Sequence, residues 1–461
     1  MNLGFPPVSV ADWEAQIQAD LKGADYEKRL VWKTPDGLSV RPYYALESMA
    51  GLVTPTDSAP AAFPFVRGDG RPWQMALPGE EPHAHVDASL FHDQGATSVE
   101  ELALSLSAAV EWLAASGQPV NDAAPRLVIR YGVSSLFFLE IAKLRAARAL
   151  WACAVQAFQP SDRSAADPGA AYLHIHAVTA RWNKSLLDSN NNLLRATAEA
   201  LAAVAGGADW VTVRPDWIDL HLARNVQLIL REESHLDRVA DPAGGAWYVE
   251  ALTDMLAREA WKRFQQIETI GGFSAFRDSG ELDALLAASR KAKETAYASR
   301  RATLAGVNNY PAPAEPAVDL PATESTWRAA GVFERIRMRT ERHVAAGGKR
   351  PTVLLLEMGD LKMRRARSGF CRNFLGCAGF AVHDAVSLEP ADLVILCSSD
   401  AEYPQLTPQV IARTTAPVVI AGYPKESIAA LEAAGAAGFI HIGSNLADTL
   451  EAWQTRLGVA A

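Results

Sequence analysis

A basic surplus, a membrane-length apolar run and a cysteine motif are all missing from this chain of 461 residues. Lys and Arg total 44 against 53 Asp and Glu, a formal net charge of −9. Nucleic acid is bound largely through clustered Lys and Arg that release counterions from the phosphate backbone, so this deficit argues against such a partner. No apolar run reaches the roughly 20 residues that a membrane-spanning helix needs. The N-terminal stretch MNLGFPPVSVADWEAQ lacks the charged-then-apolar layout of a secretory leader. The expected location is the cytoplasm. The four cysteines, Cys153, Cys371, Cys377 and Cys397, form no C-x-x-C pair, which predicts reduced thiols and no metal site.

What is present is an ordinary globular composition, 49% hydrophobic and 21% charged, at a length that favours two or three domains. Residues 1–50 read as an arm, with a helical spacing from Asp12 to Leu21 and then KTPDGLSVRPYY as a turn and a short strand, and the stretch up to residue 87 as the remnant of an entry to the barrel-type domain that follows. Prolines at 42, 55, 60, 64 and 72 oppose any long packed helix before residue 88. From there a rhythm of extended run and helix sets in. The runs are ASLFH (88–92), RLVIRYG (126–132), YLHIHAVT (172–179) and WVTVRP (210–215). Ser98 and Glu101 fit a capping box at the first helix, and further helices follow each run. Alternation of this kind predicts parallel strands with right-handed crossovers, and four βα units are half of a (β/α)8 barrel. More helices reach about residue 305, and the Pro- and Ala-spaced stretch within 306–349 predicts a linker. Residues 350–461 alternate again, as TVLLLEM, FAVHDAV, DLVILCS, PVVIAGY and GFIHIG, which predicts a five-stranded doubly wound domain.

Two stretches, HAVTARWNKSLLDSNNNLLRATAEALAAVAGGADWVTVRP (176–215) and LARNVQLILREESHLDRVADPAGGAWYVEALT (222–253), resemble the methylmalonyl-CoA mutases. FFLEIAKLRAARALW (137–151), the arm segment LKGADYEKRLVWKTPDGLSVRPYY and the region after Arg350 extend the resemblance over nearly the whole chain. It implies a (β/α)8 barrel, here only about half present, followed by a flavodoxin-like domain of the cobalamin-binding type. It also implies isomerase chemistry, the radical rearrangement of an acyl-CoA skeleton with adenosylcobalamin. In this family a catalytic large chain is often accompanied by a degenerate small one.

The family's cobalt-ligating loop carries D-x-H-x-x-G. Aligned on Met358 and Gly359, this chain puts Leu361, Met363 and Ala366 at those positions, so the ligating histidine is absent. A neutral thioether does not replace an imidazole backed by a carboxylate. Pro78 stands where the substrate-stacking tyrosine is expected, and only Gly79 to Asp87 separate it from the next matched strand. The intervening strands, with the family's substrate glutamine and carboxylate-binding arginine, are missing. Arg214 and Ile218 stand at the ribose-contact positions and Val178 at that of a glutamine near the corrin. His92 matches the histidine that bonds the thioester carbonyl, with Phe91 for its tyrosine neighbour, while Arg126 and His176 match coenzyme A contacts. The expectation is a chain without catalytic residues of its own, with His92, Arg126 and His176 as the remaining candidates. It binds no cofactor itself; adenosylcobalamin belongs to a catalytic large-subunit partner, with self-association as the other way to cover its open edges. The arm aromatics Trp13, Tyr26, Trp32, Tyr43 and Tyr44 suit such a contact. The alternatives are a diverged acyl-CoA isomerase using His92 and Arg126, or a module that binds CoA esters or cobalamin without chemistry.

Overall fold

The computed structural model describes residues 8–52, 54, 56–158, 168–312 and 327–460. It is a mixed α/β chain that divides into two units, Met1–Ala180 with Arg195–Ser289, and Arg181–Leu194 with Arg290–Ala461. Among the described residues no helix is long and apolar enough to cross a membrane.

The first unit begins with α1 (Val10–Leu21), α2 (Tyr26–Leu30) and the antiparallel pair β1 (Trp32–Lys33) and β2 (Ser39–Val40). Asp36 tethers this arm to its own unit by accepting the Val99 N–H at 2.8 Å, and Tyr44 meets Tyr248 edge-on at 5.7 Å. Trp13 stacks on Tyr43 with ring centroids 4.1 Å apart yet stays half exposed. The sheet that follows has five strands: β3 (Gln74–Met75), β4 (Val86–Asp87), β5 (Val128–Val133), β6 (His174–Thr179) and β7 (Trp210–Thr212). Their order is β3-β7-β6-β5-β4, with every pair parallel. The helices are α3 (Ser89–Asp93), α4 (Ser98–Ala115), α5 (Val120–Ala123), α6 (Phe137–Phe158), α7 (Asn191–Ala205), α8 (Leu220–Leu228), α9 (Trp247–Ile270), α10 (Phe273–Asp278) and α11 (Glu281–Ala298). Leu102, Leu106, Ile141, Leu144, Leu252 and Leu256 are buried where α4, α6 and α9 pack together, each contributing about 1.5–3 kcal/mol. α9 stops at Gly271, whose φ of 115° a side chain would strain.

The second unit holds α12 (Gly331–Ala345), then β8 (Thr352–Glu357), α13 (Leu361–Gly376), β9 (Ala381–Ala385), β10 (Leu393–Cys397), α14 (Tyr403–Ile411), β11 (Val418–Ala421), α15 (Ile428–Ala433), β12 (Gly438–Ile440) and α16 (Leu446–Arg456). The sheet order is β12-β11-β10-β8-β9, again all parallel. Its inner strands β8, β10 and β11 are apolar on both faces because both faces are covered. Val353, Leu355, Ile395 and Val419 pack with Phe333, Phe374 and Leu450, while Leu354, Leu356, Val394 and Ile420 pack with Tyr403, Val410 and Leu431.

Several expectations need correction. ASLFH is no strand: the strand is Val86–Asp87 and α3 follows at once, since Ser89, His92 and Asp93 are buried at helical spacing while Leu90 is exposed. The strand Gln74–Met75 pairs beside Trp210 and Val211, although two residues among prolines carry no periodic signal. The capping box forms one residue earlier than Ser98 and Glu101. Thr97 Oγ1 accepts the Glu100 N–H at 3.3 Å and Glu100 returns a bond to the Thr97 N–H at 2.8 Å, leaving Glu101 to point inward. LHLARNVQLILREESH ends as a π-helical turn, Ile229–Glu233. Within the expected linker, Gly331–Ala345 is a helix with Phe333 and Ile336 in the core, and residues 313–326 lie outside the described residues.

Candidate functional site

Parallel register places Asp87, Arg130, His176, Trp210 and Gln74 side by side across all five strands of the first sheet. Residues at the same level of a pleated sheet share a face, and this face is the one opposite the packed helices, since Tyr131 on the other side bonds Ser105 of α4 at 2.9 Å. The row is wired together. Ser89 Oγ donates to Asp87 Oδ1 at 2.6 Å, Arg130 Nη1 to Asp87 Oδ2 at 3.0 Å and Arg130 Nε to His176 Nδ1 at 3.1 Å. Arginine can only donate, so Nδ1 of His176 accepts and its proton sits on Nε2, facing Thr212 Oγ1 at 2.8 Å. Burial, with Arg130 and Arg214 beside it, lowers the His176 pKa to about 3. Both ring nitrogens are engaged, which leaves this neutral imidazole no free lone pair for acid–base work. At the far end Trp210 Nε1 donates to Gln74 Oε1 at 3.1 Å.

His92 is buried at 3% exposure on α3 and lies on the same face as the row, over Gly132, one level beyond Arg130. Its Nδ1 lies 2.9 Å from Glu101 Oε2, which also accepts Lys143 Nζ at 2.7 Å. Glu101 Oε1 accepts the Gly132 N–H at 2.9 Å, and Lys143 donates to the Gly132 carbonyl at 2.6 Å. Glu140 completes the cluster: its Oε2 is 2.5 Å from Lys143 Nζ, and its Oε1 takes the Ser134 N–H and hydroxyl. Burial alone pulls the Lys143 ammonium down, but Glu101 and Glu140 outweigh it and hold its pKa above the ordinary value. The arrangement ties α3, α4 and α6 to β5. His92 rests flat against Gly132, where a Cβ would come within 2.5 Å of its ring. Gly132→Ala is therefore expected to cost about 1–3 kcal/mol through overpacking, read as a lowered midpoint in urea unfolding.

Arg126 precedes β5, at the opposite end of the strand from His92, and its exposed guanidinium bonds Gln118. The structure thus keeps the three candidates apart: His176 in the row, His92 inside the ion cluster, Arg126 at the strand's N-terminal end. Arg214 is turned to structural use, bonding Asp93 at 2.6 Å, Ser89 at 2.9 Å and the Thr179 carbonyl at 3.1 Å. Arg130, Glu140 and Lys143 are singled out by no motif, and Glu101 only by a capping box that it does not form. The nearest signal is the pair Glu140 and Lys143, spaced i, i+3 in a helix whose other charged residues are Arg145 and Arg148.

In the second unit the expected loop is short. After β8 only Met358, Gly359 and Asp360 intervene before α13 begins at Leu361, so Leu361, Met363 and Ala366 all lie on a helix. Asp360 is its N-cap, accepting the Met363 N–H at 2.8 Å, and LKMRRAR is a run of good helix formers. Leu361 and Ala366 are exposed and Met363 is partly buried. Among the described residues no three His, Cys, Asp or Glu side chains gather as a metal site would need.

Residues 82–350 match the family model of methylmalonyl-CoA mutase. A methylmalonyl-CoA mutase small subunit of Porphyromonas gingivalis is 30% identical over an alignment covering 99% of this chain and 98% of that protein. That alignment runs over 618 positions against the 461 residues here, so about a quarter of it faces gaps in this chain. The small subunit of Streptomyces virginiae is 37% identical over 69% of this chain and 55% of its own length. A methylmalonyl-CoA mutase large subunit, from Propionibacterium freudenreichii subsp. shermanii, is 35% identical over 56% of this chain and 36% of its own length. By these matches the chain belongs to the methylmalonyl-CoA mutase family and is of its small-subunit type.

Proposed function

We propose that this chain is the non-catalytic small subunit of an adenosylcobalamin-dependent acyl-CoA mutase, with methylmalonyl-CoA as the substrate of the assembled enzyme. Its role is to dock and stabilise a catalytic large subunit in the cytoplasm. The observation that carries this reading is Met363. At the position of the cobalt ligand stands a thioether on the first turn of a capped helix, its backbone N–H bonded to Asp360, with Leu361 exposed where a carboxylate would back an imidazole. These residues do not fit the cofactor, and no step through it is assigned to this chain.

The first sheet reads as five strands of the family's eight-stranded barrel, with β3 keeping the first strand's place beside the last. The second has the flavodoxin-like order 2-1-3-4-5. In support of a non-catalytic role, His92 is held in an ion cluster and both nitrogens of His176 are engaged. The exposed Trp13 and Trp32 of the arm supply anchors for a partner.

The test has two arms. Titration of the purified chain with adenosylcobalamin is expected to leave the cofactor's absorbance spectrum unchanged, and incubation with methylmalonyl-CoA to yield no succinyl-CoA. Co-expression with a large subunit is expected to give a complex of the two chains with mutase activity. A spectral change with turnover by the isolated chain would overturn the reading, as would failure of the two chains to co-purify.

A further inference from the structure

In an open parallel sheet, ligands enter the crevice at the C-terminal strand ends where the strand order reverses. In the second unit that point lies between β8 and β10, because the chain winds one way to β9 and the other way to β10, β11 and β12. We propose that this crevice is closed by the chain's own side chains, with Glu402 standing as an internal anion and Arg367 filling the space beside it.

Four donors converge on one oxygen, Glu402 Oε2. They are the hydroxyls of Ser398 and Ser399, each at 2.6 Å, the Ser399 N–H at 3.2 Å and the Asp360 N–H at 3.1 Å. Three of these come from the two serines after β10 and one from the turn that follows β8, so the carboxylate clamps the two strand ends together. Gly359 makes the approach possible: its φ is 70°, and a Cβ there would stand 2.3 Å from Glu402 Oε2. Arg367 reaches across from α13. It donates to the Ser398 carbonyl at 2.6 Å and to Asp400 Oδ1 at 2.7 Å, and its guanidinium lies 5.1 Å from the Tyr403 ring centroid. The end of β11 completes the seal, since a Cβ on Gly422 would lie 3.0 Å from the guanidinium carbon. Tyr403 in turn donates to the Ala421 carbonyl at 2.5 Å and accepts the Ser398 N–H at 3.1 Å. The three strand ends β8, β10 and β11 are thus bridged by Glu402, Arg367 and Tyr403. The donors also hold the Glu402 carboxyl low, at about 2, with the Ser398 and Ser399 hydroxyls as the main cause.

An incoming phosphate or carboxylate would have to displace a carboxylate already held by four donors. This inference rests on the cofactor-free reading above and goes further. The loss of cofactor binding involves a second change, away from Met363, that makes the domain stable with no ligand in the crevice.

The test is thermal melting of the full chain in chloride buffer, alone and with sodium formate, acetate or inorganic phosphate. Glu402→Ala is expected to melt roughly 2–5 °C below the parent, because four donors at a partly exposed site lose their acceptor. Small oxyanions should recover part of that loss in the variant and leave the parent unmoved. Glu402→Gln, which keeps the volume and one acceptor oxygen, should lose less and respond little to the anions, and it serves if the alanine variant does not fold. An unchanged melting point in both variants, or anions raising the parent as much as Glu402→Ala, would sink the proposal. Cobalamin binding by the parent would instead overturn the proposed function, and the melting experiment does not depend on it.

Discussion

Replacing Lys143 by methionine is expected to cost about 3–5 kcal/mol, or to prevent the first unit from folding. The ammonium is fully buried between Glu101 and Glu140, and methionine keeps its length but removes the charge and all its hydrogen bonds. Two buried carboxylates would then face each other without a cation, and the Gly132 carbonyl would lose its donor. Breaking one member of such a cluster is more damaging than removing the cluster as a whole, because the penalty is the desolvated charge left behind. The triple variant Lys143→Met, Glu101→Gln, Glu140→Gln should therefore be more stable than Lys143→Met alone. Urea unfolding followed by far-ultraviolet circular dichroism reads both. A single variant within about 1 kcal/mol of the parent, the value of an exposed pair, would mean that the cluster is not the buried lock described here.

The second large effect is acid lability from His176. Its pKa is about 3 in the folded chain against an ordinary 6.5. The unfolded chain therefore takes up a proton below pH 6.5 that the folded chain refuses until about pH 3, and folding stability falls through that window as pH falls. For one such site the slope is about 1.4 kcal/mol per pH unit. His85, His174 and His441, lowered chiefly by burial, act in the same direction. Glu341, Asp384 and Asp392 are held low by bonds to their arginine, lysine and hydroxyl partners against the opposing effect of burial, and they add to the loss at more acid pH. His176→Gln keeps an acceptor and a donor but cannot titrate. Between pH 6.5 and 4.5 its stability should fall less steeply than the parent's. Parallel curves for the two would show that His176 is protonated in the folded chain or plays no part in the acid transition.

Much of the architecture was legible because it is written in local pattern. The inner strands of the second sheet, β8, β10 and β11, are short apolar runs between turns, and covering both faces of a parallel sheet requires such runs. The stop of α9 at Gly271 follows from a residue free to take positive φ. The family and its small-subunit type were also legible, through long matching stretches. Where the reading fell short, the deciding contact came from a distant segment. The capping box moved to Thr97 because Glu101 is claimed by Lys143 and Gly132, which lie far along the chain. ASLFH folded as helix because Arg214 draws Ser89 and Asp93 to one side and Glu101 holds His92.

The sequence by itself determined the alternation of strand and helix and the ancestry of the chain, both properties of residue type and spacing. Only the tertiary structure decided that His92 is locked in a buried ion cluster, that His176 is a neutral imidazole spoken for on both nitrogens, and that Glu402 and Arg367 fill the strand-end crevice. Each of these depends on which side chains from remote segments share a desolvated space. Charge and hydrogen-bond energies are set by that neighbourhood, which no stretch of sequence states on its own.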